Sequence, residues 1–497
     1  MNPTRIKTIY SIRPRSAGLS LLALLPLLYF SFFARLTEIP VRIWDEARNA
    51  NNALEMYLHG RWLIPYYEGA PDMWNTKPPL LIWLQAAGMH LFGTGELALR
   101  LPSALAAALT AILLWHWLTV RLNRPWAGFL AGAVLATTYA YVDNHAARTG
   151  DYDALLVLFT TFAALCCFNW LEDGRRKWLW LFFTALALAV LTKSVAGLTL
   201  LPGICLFALA RRGFRILRQP SFYGGLLLFL VLVGGYYLLR ERYNPGYLHA
   251  VYENELGGRY LQTLEGHKYP FLFYFDNLRI WRFAWWTPFA AVAFIAGFLD
   301  KKLLVKRITL FNLLMVFPFL LIVSLGGTKL DWYELPLYPF LALQTGLLLH
   351  TAWNRLSARL PANTNLRISI AVILFALVFF VPFRGNMRRV YHFKEKAWDE
   401  GPERQAYFLQ DALRRGNRLD DYTFCYSDYN GQLYYYVNRL QAQGSGVRLF
   451  ADTDGLPAGR TVVVSEPALE QSLLQRYPVK KLGEKFGCTV YLVRSSP

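Results

Sequence analysis

Residues Ile43 to Ile82 read IWDEARNANNALEMYLHGRWLIPYYEGAPDMWNTKPPLLI. The segment follows an apolar run and is too polar to sit in lipid. Asp45 and Glu46 come just past the end of that run, followed by Trp62, Tyr66, Tyr67 and Trp74, then Lys77-Pro78-Pro79. A carboxylate pair, an aromatic belt and one lysine before a double proline point to a site at the lipid–water boundary. An ordinary interfacial loop carries the same residue types.

Outward from this loop, the composition makes the chain a membrane protein. Of 497 residues, 55% are hydrophobic and only 17% are charged. Apolar runs long enough to cross a bilayer recur near 17–34, 97–119, 126–142, 154–171, 178–192, 195–210, 221–239, 282–299, 308–325, 335–353 and 367–383. The expectation is a polytopic α-helical membrane protein with about eleven transmembrane helices.

The net charge of +19 invites a nucleic-acid partner, but its distribution argues otherwise. Nearly all of it falls in alternate gaps: the N-terminus through Arg15, Arg121–Arg124, Arg175–Lys177, Arg211–Arg218, Lys301–Arg307 and Arg355–Arg367. That alternation is the positive-inside pattern, so these gaps are expected in the cytoplasm, with the first helix retained and its N-terminus inside. The other gaps, about 35–96, 143–153, 240–279 and 326–338, then lie outside. Asn52 to Leu58 in the first has the spacing of a helix lying on the membrane surface.

From about 384 the chain changes character. YTFCYSDY, QLYYYVN, GVRLFAD, RTVVVSE and CTVYLVR read as β-rich runs, with helical spacing in GPERQAYFLQDALRRG and PALEQSLLQRY. A transmembrane unit over 1–383 and a small outer α/β domain over 384–497 are expected. Cys425 and Cys488 fall in the latter, where a bridge is open to test. Cys166, Cys167 and Cys205 are expected as packing residues within spans.

The set WDEAR, NTKPPLLIW, ARTGDYDALL and TKLDWYELPLYP resembles the polyprenyl-phosphate-dependent GT-C glycosyltransferases, specifically bacterial relatives of protein O-mannosyltransferases and of the lipid A aminoarabinose transferase. The resemblance covers about the first 385 residues. It implies a multi-pass plasma (inner) membrane enzyme that moves a sugar, with inversion, from a polyprenyl-phosphate carrier to an outer acceptor. That acceptor is lipid A, a glycan or a protein hydroxyl. It also implies Asp45 as the catalytic aspartate, with Glu46 in support or touching acceptor. Asp153 is the second-loop acid, and Asp151 its possible substitute. Lys77, Arg259, His267, Lys268, Lys329 and Tyr333 are placed around the donor phosphate, with Arg148 pairing either second-loop acid or joining them. Asp331 and Trp332 depart from the family's usual residues.

A carboxylate partly withdrawn from water suits proton removal from a hydroxyl, and preorganised cations suit a departing phosphate. The Asp151-Tyr152-Asp153 triplet matches a nucleotide-sugar motif by chance, because it lacks a Rossmann-like context. Asp143 and His145 read as ordinary loop residues. No spacing compels a cofactor, although a divalent metal is compatible with the residues. A transporter or flippase of a lipid-linked sugar is the alternative. It would place ionisable groups at mid-depth, and here they favour one surface.

Overall fold

The computed structural model describes residues 14–261, 266–395 and 400–494; the side chains of residues 256, 259–261 and 402 lie outside that description. Each apolar run of the sequence contains a helix. Helices are what such runs must form, because in hydrocarbon every backbone N–H and C=O has to be satisfied within the segment. Among the described residues, seven helices are long and apolar enough to span a bilayer. These run from Pro14–Phe33 to Thr364–Tyr391, and the chain is a multi-pass membrane protein. Small residues let the helices approach. A Cβ on Gly203 would lie 2.0 Å from the Leu314 carbonyl oxygen, and one on Gly346 would lie 2.6 Å from the Ala131 nitrogen.

The alternate basic gaps come together at one end of the bundle. Arg121 binds Asp173 at 2.6 Å, while Glu172 takes Arg211 at 2.9 Å and Arg307 at 3.0 Å. The remaining gaps gather at the opposite end. There the first loop folds into helix Asp45–His59, the hairpin β1 (Tyr66–Tyr67) and β2 (Ala70–Pro71), and helix Leu80–Phe92.

Helix Asp45–His59 is not laid on lipid as its spacing suggests. Its Asn49, Asn51 and Asn52 are buried, and Asn51 donates to the Gly431 carbonyl of the C-terminal region at 2.7 Å. Asn52, at the start of the expected surface helix, donates to the Tyr66 carbonyl and to Asp72.

The C-terminal sheet has the order β4-β3-β5-β7-β6. Its strands are β3 (Tyr422–Cys425), β4 (Arg448–Phe450), β5 (Thr461–Val464), β6 (Val479–Lys485) and β7 (Cys488–Val493). β3 runs parallel to β4 and β5; β7 is antiparallel to β5 and β6.

QLYYYVN, expected as a strand, lies in helix Gly431–Ala442. Leu433, Tyr436, Val437 and Leu440 bury one helical face, so tertiary packing overrides the β preference of the tyrosines. Cys425 and Cys488 are free buried thiols, on strands separated by β5, so no bridge joins them. Cys166 and Cys167 face the core, and Cys205 is exposed on the surface of its helix, the lipid-facing side of the same expectation.

The sheet and its helices share a continuous apolar core with the transmembrane helices. Polar anchors add to it: Tyr436 donates to Glu96 at 2.6 Å, and Arg42 binds Glu395 at 2.8 Å.

One buried ion pair holds the loops at this end to the bundle. Arg100, on helix Glu96–Leu122, donates to both Glu46 oxygens at 2.7 and 2.8 Å and to the carbonyls of Leu36, Ile39 and Pro40. Glu46 also accepts the backbone N–H of Arg42 and of Gly150. Removing one member leaves a buried charge, which costs about 3–5 kcal/mol. R100L is therefore expected to lower the melting temperature of the purified protein sharply, with E46L/R100L recovering much of the loss. Equal melting of wild type and R100L would contradict this role.

Candidate active site

Asp45 opens its helix immediately after Trp44, whose φ of 76° is left-handed, a conformation non-glycine residues adopt at a cost of about 1–3 kcal/mol. The Trp44 ring stacks on Tyr429 at 5.1 Å, which helps hold that turn. Two more left-handed non-glycine residues flank the same region, His145 (63°) and Ser194 (48°).

Around Asp45 the structure gathers a cluster that sequence reasoning left apart. His145 Nδ1 lies 3.9 Å from Asp45 and 3.6 Å from Asp151, and its ring stacks on Trp332 at 3.5 Å. The sequence marks His145 as an ordinary loop residue and Asp151 as a possible substitute for Asp153; the fold brings both to Asp45. Asp45, His145 and Asp151 each offer an atom within 4.8 Å of the others, so among the described residues these three could hold a divalent cation. Asp151 is buried and takes the Thr149 hydroxyl at 2.6 Å. Burial first, and then the charges of Asp45 and Glu46, push its carboxyl up to about 6, against the pull of His145 and Thr149.

A second feature begins with Asp153. A cavity of about 150 Å³ is lined by Lys77, Asp153, Lys193 and Glu255 together with the apolar Leu156, Val195, Phe319, Ile322 and Val323. Lys193 Nζ meets both Asp153 oxygens, at 2.6 and 2.7 Å, and stands 5.5 Å from the Tyr333 ring centre. Lys77 Nζ is 5.5 Å from the Tyr152 ring centre. Tyr333 and Thr328 line the same cavity. Lys193 was missed in the sequence, where it closes an apolar helix before a very short gap.

Several expected residues have other places. Glu46 is wholly engaged by Arg100 and backbone N–H groups, so it braces the loop and does not face substrate. Arg148 is not beside Lys77; it lines a separate cleft and donates to the carbonyls of Ser31, Ala34 and Arg35. Asp153 is the counter-ion of Lys193. The Lys329 ammonium donates to the Gly326 carbonyl at 2.8 Å, and its N–H donates to the His267 carbonyl at 3.1 Å. Lys268 is exposed. The Arg259 side chain lies outside the described residues.

The chain is similar to several known proteins. The family described as dolichyl-phosphate-mannose-protein mannosyltransferase matches residues 76–237. An uncharacterized protein of Aquifex aeolicus (strain VF5) is 30% identical over 65% of this chain and 62% of its own length. The undecaprenyl phosphate-alpha-4-amino-4-deoxy-L-arabinose arabinosyl transferase of Erwinia tasmaniensis is 28% identical over 71% of this chain. The chain spans 65% of that relative's length. The crystal structure of ArnT from Cupriavidus metallidurans bound to undecaprenyl phosphate superposes with a TM-score of 0.69 at 17% identity, covering 96% of this chain and 98% of that one. The architecture is that of the GT-C superfamily of membrane glycosyltransferases.

The raised Asp151 fixes a sign for pH dependence. A carboxyl whose folded-state pKa lies above its ordinary value opposes folding once ionised, so its contribution worsens as pH rises from about 4 through 6. The full difference is about 3 kcal/mol. Melting curves in chelator should show D151N gaining on wild type across that range and holding its lead above it. A gain that appears on acidification would contradict the assignment.

Proposed function

We propose that this chain is an inverting glycosyltransferase that takes a sugar from a polyprenyl-phosphate carrier and transfers it to an acceptor at the non-cytoplasmic face. The observation that carries this reading is the Lys77 cavity. It sets two lysines among apolar side chains where helices Arg176–Lys193 and Leu303–Leu325 end, with the Asp45 cluster nearby. That mixture of cations and apolar surface suits a phosphate attached to a lipid tail. Outside the cytoplasm there is no pool of nucleotide sugars, so a membrane-carried donor fits the location.

In the transfer, an acceptor oxygen forms a bond to the anomeric carbon from the side opposite the carrier. The bond from that carbon to the phosphate oxygen breaks and its electron pair stays on the phosphate. Lys77 and Lys193 stabilise the charge left there, and Asp153 keeps the Lys193 ammonium aimed at the cavity. For a hydroxyl acceptor, Asp45 takes the proton. For an acceptor that is already an ionised phosphate, Asp45 orients it and no base is needed. His145 and Asp151 hold Asp45 in place.

The basic gaps joined by Arg121, Arg211 and Arg307 would face the cytoplasm of the inner membrane, with the sheet domain from about 384 outside. A lipid-linked-sugar flippase would need charged groups along a through-path; here the ion pairs gather at the two ends of the bundle. The donor sugar, hexose or pentose, and the acceptor class belong to experiment.

Purified protein incubated with a panel of radiolabelled polyprenyl-phosphate sugars and outer-membrane or periplasmic acceptors should transfer label from at least one donor. D45N should retain about 1% or less of the rate, in keeping with loss of a general base. Equal turnover by D45N would remove Asp45 from that role, and no transfer from any donor would sink the reading.

A further inference from the structure

The residues that flank Lys77 and Lys193 in the chain are held by two tyrosines to which the transfer step gives no role. Tyr247, in the 240–279 loop, donates to the carbonyl of Thr76, the residue before Lys77, at 2.7 Å. Tyr237, on helix Pro220–Tyr243, donates to the hydroxyl of Ser194, the residue after Lys193, at 3.0 Å. The two rings stack, with centres 5.8 Å apart and planes 24° from parallel. A chain of contacts therefore runs from one lysine to the other through Thr76, Tyr247, Tyr237 and Ser194. None of these four lines the cavity into which both lysines project.

Both lysines stand where the backbone does little to hold itself. Pro78 and Pro79 have no N–H to donate, so the carbonyl of Thr76 is a place where that stretch can be tied. Ser194 ends helix Arg176–Lys193 with a left-handed φ of 48°, a conformation that persists only where the surroundings over-determine it. The tyrosines are themselves fixed. Tyr247 is fully buried, and the Arg240 guanidinium lies 3.9 Å from its ring centre. Arg240, also buried, donates to the Tyr236 hydroxyl and the Asp72 carbonyl, each at 3.0 Å. Tyr236, Tyr247 and Leu191 form a small apolar cluster of their own, with Tyr237 packed against it. Burial holds the Tyr247 phenol well above its usual range, so the hydroxyl keeps its proton to donate. Charge-assisted contacts are short, about 2.7–2.9 Å, so two ammonium groups reach one phosphate only at a set separation.

We propose that Tyr247 and Tyr237 are positioning residues for donor binding: Tyr247 sets Lys77, Tyr237 sets Lys193, and their stacked rings keep the two ammonium groups at the separation that one phosphate bridges. This rests on reading the Lys77 cavity as the donor's.

The test measures the affinity of undecaprenyl phosphate and of undecaprenol, by native mass spectrometry in detergent, for wild type, Y247F, Y237F, K77Q and K77Q/Y247F. Phenylalanine keeps each ring and its packing and removes only the hydroxyl. Y237F alters a part-buried contact and keeps the test decisive where Y247F folds poorly. Undecaprenyl phosphate should bind about tenfold more weakly to each tyrosine variant, with undecaprenol affinity unchanged, because the alcohol has no phosphate to place. K77Q should weaken it as well, and K77Q/Y247F should bind no more weakly than K77Q, because Tyr247 acts through Lys77. Wild-type phosphate affinity in either folded tyrosine variant, with K77Q weakened, would overturn the positioning role and leave the donor reading standing. Equal losses of undecaprenol and undecaprenyl phosphate, the mark of a merely structural role, would do the same. So would a loss in K77Q/Y247F equal to the product of the two single losses. Full undecaprenyl phosphate affinity in K77Q overturns the donor reading, and this proposal with it.

Discussion

A carboxylate with a guanidinium, both out of water, is a costly arrangement unless every remaining donor and acceptor is met. Glu46 and Arg100 meet that condition, and the outer face depends on them. Between them they fix the approach to helix Asp45–His59, the carbonyls of 36–40, the turn at Gly150 and a transmembrane helix. Asp45 adjoins Glu46 in the chain, and its half-exposed carboxylate takes its position from that buried neighbour. Two adjacent acids thus sit in opposite environments, set by which one the fold buries.

The second loop applies the same economy. Over eleven residues it lends Asp143, Asn144 and Arg148 to one cleft, His145 and Asp151 to the centre, and Asp153 to the lipid-side cavity. One short loop thus reaches two separate spaces and the carboxylate cluster between them. The C-terminal region closes the assembly from above, through Tyr429 on Trp44 and Tyr436 on Glu96, so it is part of the scaffold of the first loop.

The helices could be read in the sequence because the bilayer imposes one demand, a long apolar run, that leaves little room for ambiguity. The two-ended grouping of the gaps could be read because arginine and lysine were counted gap by gap. What escaped reading was pairing across distance. Lys193 and Asp153 are forty residues apart, and nothing local to either announces the other. Arg148 looked like a phosphate ligand by type, but the loop turns it to the opposite side. The tyrosine run at 434–436 favoured a strand until its helical burial face was visible. The stretch from Asn52 to Leu58 fitted a surface helix because the partners of Asn52 are a carbonyl and a side chain some 14 to 20 residues further on.

The central claim is that loops distant in the chain build one pocket for a lipid-linked phosphate beside Asp45. A cryo-electron microscopy map of the purified protein with bound undecaprenyl phosphate addresses it most directly. The account predicts phosphorus within about 4 Å of the Lys77 and Lys193 ammonium groups, as charge-assisted contacts require, with the chain descending along Phe319 and Val323. Phosphate density in the cleft lined by Arg148 with the Lys77 cavity empty, or at neither place, would contradict it.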